Sequence, residues 1–171
     1  MSQNVSLAPS HERHLASVTA TAGATAKENT MNTTKINAFA RQAEPYLYAT
    51  LRIVAGALFA FHGAQKILGV YSQFMPPVGS QIWIGGVIEL VGGALIALGV
   101  LTRLAAFLTA GQMAVAYIQF HWKLAFAGGM WLPGMNKGEL AVIYCFVFLF
   151  IAAHGSGQVA TLGGRARNQS A

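Results

Sequence analysis

No aspartate occurs anywhere in the 171 residues, so the five carboxylate side chains are all glutamates. Charge of either sign is scarce: 9% of the chain is Asp, Glu, Lys or Arg, against about a quarter in an average soluble domain. A single cysteine, Cys145, excludes an intramolecular disulfide and any Cys-ligated metal or iron–sulfur site built by this chain alone. Clusters of lysine and arginine are missing as well. The net charge of +6 comes from basic residues scattered singly, which removes the surface that phosphate tracking needs and excludes nucleic acid as a partner. No haem or flavin motif and no phosphate loop is present, so no intrinsic cofactor is expected. Around His62 and His121 no His-x-x-x-His or Glu-x-x-His spacing offers two ligands from one helix turn, so no metal site is expected either.

What fills the chain instead is apolar residues, 54% of the total. Between Tyr46 and Gly155 there are only seven charges: Arg52, Lys66, Glu89, Arg103, Lys123, Lys137 and Glu139. That stretch has more apolar surface than a compact domain of its size can hide, which makes lipid its natural solvent and excludes a soluble enzyme fold. Four apolar segments follow one another, near 46–68, 81–101, 104–120 and 139–154. At about 1.5 Å per residue the first two cover roughly 30 Å, a bilayer core, and the last nearer 24 Å. The expectation is an all-α membrane bundle of four transmembrane helices over residues 46–158. Residues 1–45 are polar with no apolar periodicity and read as a disordered tail; Met31 offers a second start, which would make 1–30 an upstream extension. Residues 159–171 read as a second tail. With both termini cytoplasmic, Lys35, Arg41, Arg103, Arg165 and Arg167 flank the inner side, and Arg103 in the tight turn between spans two and three anchors the topology. Arg52 reads as an interface anchor, and Tyr46 and Tyr48 as an aromatic pair at the membrane surface.

An ionisable residue inside a span costs about 2.5 to 3.5 kcal/mol on insertion scales, so it turns toward the bundle interior. Glu89 sits about eight residues into span two, and Gly85, Gly92 and Gly99 recur at seven-residue spacing near its face, where they let another helix pack closely. His62 and Lys66 share one side of span one at the same outer depth. Gln112 and Gln119 lie on a polar stripe of span three, His121 follows it, and Glu139 opens span four on the same outer side. One polar cluster in the outer half is expected, with His62, Lys66 and Glu89 as candidate catalytic residues. Gln112, Gln119, His121 and Glu139 would bind substrate or quinone around them. A Lys66–Glu89 pair is equally consistent with a structural staple between helices, and that alternative stays open.

The runs Phe61-His62-Gly63-Ala64-Gln65-Lys66, Glu89-Leu90-Val91-Gly92-Gly93, Gly99-Val100-Leu101-Thr102-Arg103-Leu104-Ala105-Ala106 and Gly138-Glu139-Leu140-Ala141 with Tyr144-Cys145-Phe146 follow in order at span-like spacing. Across about residues 46 to 158 the chain resembles the DoxX family of small bacterial inner-membrane proteins. The family's closing Gly-x-Gly is matched by Gly155-Ser156-Gly157, but its Ser-Leu-Asp is not. The resemblance implies a four-span bundle and, for some members, association with oxidoreductases, quinone-linked or tied to oxidative and thiol stress. The expected function is an accessory subunit of such a redox system, with quinone as the ligand and a partner protein supplying electrons; the chain is at most a subunit and not a self-sufficient enzyme. The alternatives are a non-catalytic scaffold or assembly factor and a small-molecule or proton carrier. Homo-oligomerisation is left open.

Overall fold

The computed structural model describes residues 10–159 and, among these, contains helices and turns with no strand. Helix α1 runs Ser10–Ile67, α2 Gln81–Leu98 and α3 Thr102–Ala116. A π-helical stretch, Tyr117–Trp122, continues α3; a short 3-10 turn and the single-turn α4 (Pro133–Asn136) lead to α5 (Glu139–His154). The chain divides into two compact units, Met1–Glu44 and Pro45–Ala171.

The described part of the first unit is helical, where the composition suggests an unstructured tail. No proline interrupts residues 10–44, so the helical ladder can run through them, and threonine hydroxyls follow it, Thr33 donating to Asn29 O and Thr34 to Thr30 O, both at 2.8 Å. Composition reads correctly that these residues bury little, since the described ones are almost all exposed. Residues 1–9 and 160–171, and with them nearly all of the expected C-terminal tail, lie outside the described residues.

In the second unit each apolar segment becomes a helix. Ser80 caps α2, its hydroxyl accepting from Trp83 N at 3.3 Å, and Gly99 ends it in the left-handed region, φ 76°. The second half of α1 meets α2 through glycines on both sides: a Cβ on Gly63 would lie 2.2 Å from Leu90 N, and one on Gly93 2.4 Å from Ala60 N. Backbone-to-backbone approach of this kind is how helices associate where lipid removes the hydrophobic drive between them. Helix α3 packs on α2 and on α5. Phe59, wholly buried, joins α1 to α5, its ring 4.7 Å from that of Phe148 and 5.3 Å from that of Tyr144.

Outward faces of all four elements are apolar: Leu58 on α1, Val91 on α2, Phe107 on α3 and Phe146 on α5 are each about half exposed or more. Two helical segments, Asn29–Ile67 and Gln81–Leu98, are long and apolar enough to cross a membrane.

At one end of this unit an identical device occurs twice. Arg52 is fully buried and donates from Nη1 to Ile96 O at 2.6 Å and Ala97 O at 3.0 Å, the last carbonyls of α2. Arg103 donates from Nη1 to Ala153 O at 2.6 Å and from Nη2 to His154 O at 3.3 Å, the last carbonyls of α5. Each guanidinium lies against the positive-φ glycine beyond its helix, Gly99 and Gly155. The reading of Arg52 as an interface anchor is therefore corrected: both arginines donate to carbonyls in the last turn of a helix, where the helical ladder supplies few donors. Tyr48 is corrected likewise, since it is buried, with its hydroxyl donating to Gly155 O, while Tyr46 alone of the pair is exposed.

Candidate functional site

Glu89 points inward from the middle of α2 because α2 is flanked on both sides. Gly86 and Gly93 face α1, whereas Gly85 and Gly92 face α3, where a Cβ would meet Gln112 Nε2 at 3.1 Å and Thr109 Cγ2 at 2.5 Å. The glycines thus form two stripes. Gly85 and Gly92 sit at the α2–α3 contact, and Gly99 is a helix-ending residue against Arg52 instead of a packing one.

The carboxylate between these stripes is 4% exposed and accepts from three hydrogens: Lys66 Nζ donates to Oε1 at 2.5 Å and Oε2 at 2.7 Å, and Gln112 Nε2 donates to Oε1 at 3.1 Å. Gln112 Nε2 also donates to Gly85 O at 3.2 Å, so two acceptors fix the orientation of its amide. Its Oε1 is buried without a hydrogen-bond partner. Lys66 keeps 32% of its side chain exposed, and the ammonium retains a third hydrogen.

These groups close the polar end of a cavity of about 640 Å³. Phe59, Met113, Ala141 and Tyr144 line its interior; Ile84, Leu108, Val115 and Leu140 line its outer part. His62, Lys66, Glu89, Gln112 and His121 all border it. The π-helical stretch delivers His121, whose Nδ1 sits 3.2 Å from Asn136 O, and such widened turns recur at functional sites. Gln119 stands apart, its Oε1 accepting from Gln81 Nε2. Glu139 is exposed in the first turn of α5 and does not border the cavity. Tyr144, Lys137 and Gln81 border it and were not among the expected site residues; Tyr144 was visible only as part of a family motif, and its ring meets that of His62 edge-on with centroids 6.5 Å apart. Among the described residues no three His, Cys, Asp or Glu side chains converge as a metal site requires.

The sequence profile of the DoxX family matches residues 47–122, which contain His62, Lys66, Glu89, Arg103, Gln112 and His121. The chain belongs to the DoxX family. It is also similar to an uncharacterized protein of Haemophilus influenzae, 38% identical over 120 residues that cover 68% of this chain and 88% of the relative. No solved structure matches it. The matched segment of this DoxX protein runs from residue 47 to the end of the π-helical stretch, so of the polar groups that border the cavity it holds His62, Lys66, Gln81, Glu89, Gln112 and His121 but not Lys137 or Tyr144.

Proposed function

We propose that this DoxX protein is a multi-pass protein of the bacterial inner membrane that holds a quinone for a partner oxidoreductase. A four-span arrangement is supported by the apolar outward faces and by the 21 residues from Thr102 to Trp122, which at about 1.5 Å each reach roughly 30 Å. α5, at 16 residues, is the shortest of the four spans once the π-helical stretch is counted with α3.

The observation that carries the reading is an apolar cavity whose closed end presents donors and one spare acceptor. Its volume lies within the range of small-ligand sites, about 300 to 1,000 Å³. A quinone head group offers two carbonyl acceptors, which fit the third hydrogen of Lys66 and a ring N–H of His62; its reduced form offers hydroxyl donors, which fit Gln112 Oε1. Bound there, a quinone supplies two-electron, two-proton carriage between membrane partners. The chain's own residues orient the head: Lys66 stabilises negative charge that develops on an oxygen, and Glu89 holds Lys66 in place. His62 exchanges protons at its ring nitrogen.

The second reading is a scaffold in which Lys66, Glu89 and Gln112 only pin α1, α2 and α3 together, and the saturation of Glu89 by three donated hydrogens favours it. Mass analysis of what copurifies with the full chain in mild detergent separates the two. A quinone bound to wild type and lost from a folded Glu89→Gln supports the redox reading; a folded wild type carrying neither quinone nor oxidoreductase overturns it in favour of the scaffold.

A further inference from the structure

Two contacts bracket the seam between α2 and α3. At its polar end Gln81 Nε2 donates to Gln119 Oε1, tying the start of α2 to the π-helical stretch. Toward the arginine end Gly92 rests against Thr109. Between them lie about 16 Å of helix, and here the seam is not filled: Gly111 has nothing within 4 Å of where its Cβ would stand. The flanking residues Ile84, Leu108 and Val115 are exposed, and they border the same cavity as buried Phe59, Met113 and Tyr144. Gln112 crosses the gap through its bonds to Gly85 O and Glu89. Its Nε2 is held by two acceptors, but its Oε1 is a buried acceptor that nothing satisfies, so a swing of the amide breaks hydrogen bonds on one side only.

We propose that the α2–α3 seam is a lateral doorway through which the cavity takes its ligand from the bilayer, with Gly111 as the open sill and Gln112 as the bar. The occupant is a bilayer-dissolved molecule with an uncharged polar ring and an apolar tail. The head passes when Gln112 swings aside and then lies against Lys66; the tail stays in the groove formed by Ile84, Leu108 and Val115. The flanks of the opening are apolar, so water and hydrophilic solutes gain nothing by entering there, while the hydrogen-bonded glutamines close the polar end of the seam. This deepens the quinone reading by giving that site its route of entry.

The test places the full chain in lipid nanodiscs in a Cys145→Ala background, with Ala141→Cys as a reporter inside the cavity. Two reagents are compared, a maleimide bearing an alkyl chain and a sulfonated maleimide confined to water. The alkyl reagent is expected to label Ala141→Cys readily and the sulfonated one slowly. Adding Gly111→Phe should slow the alkyl reagent roughly tenfold or more, whereas Gly111→Ala should leave it little changed. Leu108→Trp narrows the same groove and serves if Gly111→Phe does not elute as a folded protein. Labelling that ignores both substitutions, labelling as fast by the sulfonated reagent, or none by either overturns the doorway. Because no quinone takes part, the outcome is independent of the copurification experiment: a doorway without a quinone would keep the route and discard the quinone, and the reverse result would do the opposite.

Discussion

The Lys66 side chain is about a third exposed while that of Glu89 is almost wholly enclosed, so losing either partner has unequal consequences. Glu89→Gln leaves a lysine that can turn outward and an amide that still accepts from Gln112. Lys66→Met leaves a carboxylate enclosed by protein with no cation beside it. Breaking a fully buried pair costs about 3 to 5 kcal/mol, and exposure of one partner reduces this. The expected result is a loss of about 3 kcal/mol for Lys66→Met against about 1 kcal/mol for Glu89→Gln, read as thermal unfolding midpoints in detergent; equal losses would mean that water reaches Glu89. The pair was legible in the sequence because a charge within an apolar run has few places to go, and helix rise sets both residues at one depth. Gln112 was legible only as polar. Its role as a bridge from α3 to Gly85 and Glu89 depends on which face of α3 meets α2, and a helical period alone does not state that.

At the level of elements, the two arginine caps tie α1 to the end of α2 and α3 to the end of α5. Arg52 is enclosed and Arg103 is exposed, so water can replace Arg103 at its carbonyls far more readily than Arg52. Arg52→Ala should therefore destabilise by about 2 to 3 kcal/mol and Arg103→Ala by about 1 kcal/mol in a denaturation series, hydrogen bonds to charged groups being worth roughly 1.5 to 3 kcal/mol. A larger loss at Arg103 would contradict this burial. The extent of α2 and α5 follows the apolar runs closely because Ser80, Gly99 and Gly155 mark their ends locally. Assigning Arg52 to the membrane surface failed for a definite reason: a helix C-terminus 44 residues away along the chain offers carbonyls that no local pattern announces.

Across the whole second unit, one end carries the arginine caps and the other the cavity's polar groups with Trp83, Trp122, Lys123 and Trp131. On the proposed four-span reading, the positive-inside rule puts the cap end in the cytoplasm. A membrane-impermeant maleimide applied to intact cells should label Lys123→Cys in a Cys145→Ala background and should reach Gln158→Cys only after permeabilisation. The opposite pattern would invert the topology and place the cavity toward the cytoplasm.

Scarcity of charge and the order of four apolar runs determined that this chain is helical and apolar on its outside, because burial preference and helix rise are local properties summed along the chain; the family was carried by particular motifs, from Phe61–Lys66 to Gly138–Ala141. Only the tertiary structure decided that Glu89 is held by α1 and α3 together, that Glu139 stands apart, that two arginines close two helices, and that Gly111 leaves a gap beside Gln112. Each of these depends on the rotation of one helix against another, which is set by packing between segments far apart in sequence.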